Sequence, residues 1–183
     1  LDCGHGDRPV TGTHPDLAAC VAFARRLIRT PSMSGEEAAL AALVAGEMRA
    51  LGCDEIRIDE KGNVSGRVRG REAGLGALVL VSHLDHVDPG DSARWATGPF
   101  EAAVVGGRIV GRGASDIKGP LAVHVHAVGG LLAAGIRPRR DVVVCALVDE
   151  EVGGGGARYW VERVDYAVDL VVLGEPSSND LAL

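Results

Sequence analysis

Three apolar runs, residues 77–82, 141–148 and 168–173, limit what this chain can fold into. Each is dominated by Val, Leu and Ala with no polar face, as expected of a strand covered on both sides. The segments between them include helical patterns. Buried strands alternating with helices predict an α/β domain of three layers, a mostly parallel mixed sheet flanked by helices. In such sheets ligands gather outside the carboxyl ends of the strands.

The remaining elements follow from local signals. Leu17, Val21, Ala24, Leu27 and Ile28 recur at helical spacing, and Pro31 ends that helix. Ser34 followed by Glu37 fits a capping box for a second helix over about residues 35–51, stopped at Gly52. Residues 55–59 and 64–68 alternate polar and apolar around Lys61-Gly62-Asn63, a hairpin signal. Residues 102–105 and 108–110, joined by Gly106-Gly107, read as another. A helix is predicted over residues 117–135, opening just after Asp116, and a short one over about 157–164. Residues 1–14, rich in Gly, Pro, Asp and His, read as a loose leader.

Composition excludes some functions. With 183 residues, 46% of them hydrophobic, the chain can bury one real core. No apolar run approaches the ~18 residues of a membrane span, so no membrane partner is expected. A net charge of −6, scattered basic residues and 3% aromatics argue against nucleic acid. Cys3, Cys20, Cys53 and Cys145 form no C-x-x-C pair and are expected to be reduced thiols of a cytoplasmic protein. The first residues show no signal pattern and no initiator Met, so the chain is expected to be trimmed or a fragment.

The candidate chemistry lies where the strands end. His83-Leu84-Asp85 follows the first run, Asp149-Glu150-Glu151 the second and Glu175 the third, while Asp116 sits in the glycine-rich segment 111–119. Imidazole and carboxylates are ligands for a divalent metal such as zinc, with cobalt or manganese as substitutes. At a strand end, residues two apart point the same way, so Asp85 is placed to accept the second ring N–H of His83. Three adjacent acids at the edge of a core repel one another unless a cation neutralises them. Of an adjacent Glu pair, one carboxylate can bind metal while the other handles a proton. Glycines 153–156 are expected to let backbone approach the site.

Other templates fail. There is no G-x-S-x-G nucleophile elbow and no H-E-x-x-H, and Lys118 is followed by Gly119 rather than by the Ser or Thr of a phosphate-binding loop. Cys145 lies in an apolar strand with no base nearby. His124 and His126 face different ways on a helix. His86 reads as a polar loop residue, and His5 and His14 as parts of the leader.

Taken together, residues 82–87, 111–119, 150–154 and 174–176, with the early segment 31–36, resemble the co-catalytic zinc amidohydrolases. That family includes acetylornithine deacetylase, succinyl-diaminopimelate desuccinylase, aminoacylase and the glutamate-releasing carboxypeptidases. The order agrees, and so do the separations of 33, 34 and 24 residues between His83 and Asp116, Asp116 and Glu150, and Glu151 and Glu175. The resemblance implies two zincs per site. His83 and Glu175 would bind one, Glu151 the other, and Asp116 would bridge them. Asp85 would orient His83, and Glu150 would be the general base. The implied substrate is a small N-acyl amino acid or a peptide, and the implied assembly of the longer parent a homodimer.

Family members are longer. They insert a lid-like dimerisation domain and then return to the catalytic domain, which supplies one more His ligand. Residues 15–183 are therefore expected to be the N-terminal part of the catalytic domain, truncated before the lid and weakly active or inactive alone. Two alternatives compete: a non-catalytic metal-binding or dimerising α/β module with a decayed site, and a nucleotide-binding domain using residues 111–119.

Overall fold

The computed structural model describes residues 16–177. The leader assigned to residues 1–14, with Cys3, His5 and His14, lies outside them. Four helices, α1 (Leu17–Ile28), α2 (Ala38–Ala50), α3 (Gly119–Ala133) and α4 (Gly155–Val161), surround a five-stranded sheet. The strands are β1 (Glu55–Ile58), β2 (Val64–Val68), β3 (Ala77–His83), β6 (Val142–Leu147) and β7 (Val168–Leu173), in the order β1-β2-β6-β3-β7. β3 pairs in parallel with β6 and with β7, whereas β1 and β2 add an antiparallel hairpin beside β6. A separate two-stranded hairpin joins β4 (Ala103–Val105) to β5 (Arg108–Val110).

The central strand shows how the layers form. Along β6, Val142, Val144 and Ala146 pack with the buried faces of α1, α2 and α3, while Val143, Cys145 and Leu147 pack with Ala157 and Trp160 around α4. Alternate side chains of one strand thus feed two cores. Phe23, Leu27, Ile28, Leu40 and Met48 are fully enclosed, each worth roughly 1.5–3 kcal/mol of burial.

Four expectations need correction. Residues 168–173 form a strand, but not one buried on both faces: β7 is at the sheet edge, with Leu170 55% and Leu173 63% exposed. The capping box does not form. Glu37 makes no side-chain cap bond, and α2 starts after it because both Ser34 and Glu37 are drawn into longer-range bonds described below. The helix expected from residue 117 starts at Gly119, because Asp116 and Ile117 adopt non-helical angles in a tight turn, Ala114–Lys118, with a cis Asp116–Ile117 peptide. His86 is not a polar loop side chain. It is 1% exposed, its Nε2 accepts from Ser32 N–H at 3.0 Å and its Nδ1 donates to the Val87 carbonyl at 2.8 Å.

Candidate metal centre

The parallel arrangement of β3, β6 and β7 brings their carboxyl ends together. His83 is the last residue of β3, in register with Leu147 at the end of β6, and Glu175 follows β7 by two residues. The turn before α3 adds Asp116. Six side chains named from the sequence, His83, Asp85, Asp116, Glu150, Glu151 and Glu175, meet here.

The imidazole is the centre of the cluster. His83 Nε2 lies 3.0 Å from Asp116 Oδ1, 3.7 Å from Glu175 Oε1 and 3.8 Å from Glu150 Oε2. Donor atoms of His83, Asp116 and Glu151 all fall within 4.8 Å of one another. His83 is 2% exposed, whereas Asp116, Glu150 and Glu175 are 49%, 48% and 47% exposed. The ring therefore forms the floor of a site whose carboxylates open to solvent. An open cleft of about 640 Å³ borders it, lined by Glu175, Ser115, Arg108 and Leu173 among others.

Asp85 holds this arrangement from beneath. It is fully buried. His83 Nδ1 lies 3.0 Å from the Asp85 carbonyl oxygen and 3.4 Å from its Oδ1, so the shorter contact carries the hydrogen bond. A carbonyl only accepts, so Nδ1 carries a proton; in the protonated ring Nε2 donates to Asp116 Oδ1, and loss of that proton would leave its lone pair facing the carboxylates, as a metal ligand needs. Asp85 was expected to orient His83 through its carboxylate; its backbone oxygen does most of that. The carboxylate instead accepts from the Glu150 N–H on Oδ1 and the Glu151 N–H on Oδ2, both at 3.1 Å.

The electrostatics are those of a cation site. Burial raises the Asp85 carboxyl, but the adjacent His83 ring and bonds from Ser34 and the Glu151 and Glu150 amides lower it by more, to about 2. Burial alone lowers His83, yet its close contact and charge interaction with Asp85, then Glu175 and Glu150, raise it to about 9. Glu151 and Glu175 are raised, first by burial and then by neighbouring carboxylates that include Asp116. One imidazole facing several mutually repelling carboxylates is a donor set that a divalent cation completes.

Four contributors were not singled out from the sequence as parts of the site. Ser34 Oγ donates to Asp85 Oδ2 at 2.7 Å, and Glu37 Oε1 accepts from the Asp149 N–H at 3.2 Å. Lys118 is fully buried, burial pushes its ammonium down to about 7, and its Nζ donates to the Thr30 carbonyl at 2.8 Å. Asn63, read only as part of a turn, bonds backbone on both sides of the Glu150–Glu151 turn: Oδ1 accepts from Val148 N–H and Nδ2 donates to the Gly156 carbonyl, each at 3.0 Å. Gly156 permits that approach, since a Cβ there would lie 2.4 Å from Asn63 Oδ1. Cys145, as expected, is enclosed in β6, where burial pushes its thiol far up. Ser82 Oγ lies 3.0 Å from His124 Nδ1, and His126 packs on Phe23 with ring centroids 5.5 Å apart.

Comparison with known proteins agrees with this geometry. The chain is 34% identical over 170 residues to a succinyl-diaminopimelate desuccinylase of Alkalilimnicola ehrlichii, covering 90% of this chain and 44% of that protein. It is 36% identical over 163 residues to the LysW-lysine hydrolase of Deinococcus radiodurans, covering 89% and 41%. The chain thus spans a little under half the length of the curated relatives it matches. The fold is shared with an M20 family metallo-carboxypeptidase of Sulfolobus solfataricus, with TM-score 0.75, 22% identity and coverage of 85% of this chain and 37% of that one. The sequence profile of peptidase family M20/M25/M40 matches residues 79–182. That match runs from within β3 through β7 over more than half of the chain, and it makes this protein a member of peptidase family M20/M25/M40.

Proposed function

We propose that this chain carries the metal-binding part of a hydrolase that cleaves the amide bond of an N-acyl amino acid or a peptide. The observation that carries the proposal is the convergence of three carboxylates on His83 Nε2 at the carboxyl ends of parallel strands. His83, Glu175 and Asp116 would hold one zinc; Asp116 and Glu151 would hold a second. Cobalt and manganese suit the same donors. Metal bound there polarises the scissile carbonyl and lowers the pKa of a water.

The chain's own groups do the rest. Asp85 keeps His83 Nε2 aimed at the site and fixes the amides of Glu150 and Glu151. Glu150 is half exposed, so it is open to water and substrate. In its ionised form it takes a proton from the attacking water and returns it to the nitrogen of the leaving amine, a role worth about 10²–10⁴-fold. The cleft beside Glu175 is where the acyl or peptide group would lie. Similarity to a succinyl-diaminopimelate desuccinylase and to a LysW-lysine hydrolase supports an N-acyl amino acid as the substrate class. A homodimer in a protein of the relatives' length and a cytoplasmic location belong to the same proposal. The free thiols of Cys20, Cys53 and Cys145 suit a reducing compartment.

The test has two parts. Elemental analysis after dialysis is expected to find zinc in the chain; a metal-free chain counts against the reading. In a protein of the relatives' length, Glu150→Gln is expected to lower kcat about 10²–10⁴-fold with unchanged metal content. Full activity in that variant would remove Glu150 from the role.

A further inference from the structure

The connection between α1 and α2 touches three of the segments that bring metal-type ligands to the centre. Its Thr30 carbonyl accepts from Lys118, two residues past Asp116. Ser32 Oγ donates to the Leu84 carbonyl at 2.7 Å, its N–H donates to His86, and its carbonyl accepts from the His86 N–H at 3.1 Å. The strand end bearing His83 and Asp85 is thereby tied to this connection at three points. Farther along, Glu37 accepts from the amide of Asp149, next to Glu150. The innermost contact is Ser34 Oγ on Asp85 Oδ2.

That contact is the third hydrogen bond to the Asp85 carboxylate. A carboxylate offers about four lone-pair sites. On Asp85 the Glu150 amide takes one on Oδ1, with the His83 ring beside it, and the Glu151 amide and Ser34 share Oδ2. The plane of a carboxylate turns about a soft terminal torsion. The two amides come from adjacent residues of one turn, so they rotate with it. Ser34 is the only donor to Asp85 that belongs neither to His83 nor to that turn, among the described residues. It is therefore the external reference that fixes the plane.

We propose that Ser34 is a positioning residue for the metal centre: by fixing the Asp85 carboxylate it sets the spacing between His83 and the Glu150–Glu151 turn. The proposal rests on the metal-hydrolase reading above. Groups that orient metal ligands typically govern affinity about 10–100-fold. Ser34 acts one bond further out, so the low end, about tenfold, is expected.

The experiment is a cobalt(II) titration of the full 183-residue chain, reading affinity and the visible absorption bands, beside a thermal melt. Ser34→Ala is expected to bind cobalt about tenfold more weakly with displaced bands, and Ser34→Thr, which keeps the hydroxyl, to restore both. A merely structural role would lower the melting temperature and leave the bands in place, and that result overturns the proposal. So does wild-type affinity in Ser34→Ala. If Ser34→Ala does not fold, Ser34→Cys, with similar volume and a weaker donor, is judged by the same criteria. A wild-type chain that takes up no cobalt overturns the metal reading, and this proposal with it.

Discussion

Replacing Asn63 by Ala removes few atoms but leaves a buried backbone amide without its partner. The side chain is 2% exposed. Besides Val148 N–H and the Gly156 carbonyl, it reaches Asp59 Oδ2 at 2.9 Å through Nδ2. Val148 is buried, so its freed N–H is left unpaired, while the Gly156 carbonyl keeps its bond within α4. An unpaired buried group costs about 1–3 kcal/mol. Asp59 keeps three backbone N–H donors, from Lys61, Gly62 and Asn63, and adds little. A domain of this size loses about 2–4 °C of Tm per kcal/mol, so a fall of roughly 4–8 °C is expected for a loss of about 2 kcal/mol. A water entering the vacated space would recover part of it, with about 2 °C as the floor. The assay is thermal unfolding by circular dichroism in the presence of chelator, so that metal linkage does not shift either Tm. A fall below about 2 °C would refute the claim that this side chain staples the Glu150–Glu151 turn to the β1–β2 hairpin.

Two further outcomes are expected. The Asp141 carboxylate pairs with Arg67 and accepts from the Gly70 N–H at 2.7 Å; burial raises its pKa, but these partners lower it by more. A depressed folded-state pKa stabilises above the unfolded value of about 3.9 and loses that contribution as pH falls through the folded one. Asp141→Asn is thus expected to cost about 1–2 kcal/mol in urea melts at pH 7, with the gap to wild type closing below about pH 4; a gap that widens in acid would contradict this. The exposed apolar edge of β7 is a template for strand pairing. Light scattering is expected to show an apparent mass that rises with concentration and falls with Val171→Lys, and a chain that stays monomeric throughout would contradict that.

The ends of β3 and β6 are legible because an unbroken apolar run that stops at His or at three acids marks the point where a buried strand leaves the core. β7 has a similar composition, yet its place at the edge is set by what pairs with it, which no single strand records. Ser34 and Glu37 illustrate a different limit. Their three-residue spacing matches a helix cap, but their partners Asp85 and Asp149 lie 51 and 112 residues away and win. Asn63 is the same case, with partners 85 and 93 residues distant. Local pattern reports local competition only. Asp116 stands out in the sequence as a ligand candidate, while the non-helical turn that aims it at His83 leaves no trace in hydrophobic periodicity.

The parallel pairings also govern when the centre comes into being. Leu78 faces Val142 across β3 and β6, 64 residues along the chain, and Leu170 across β3 and β7, 92 residues along. Joins of that range are entropically late in folding. The candidate ligands sit at the far ends of these strands, so they are scattered until the sheet is zipped. An unfolded chain would offer an ion only part of the set at any one place, and most of the binding energy would accrue to the finished fold. A metal bound there would stabilise the zipped sheet rather than nucleate it, and partial unzipping at β7 would release it before the core opens.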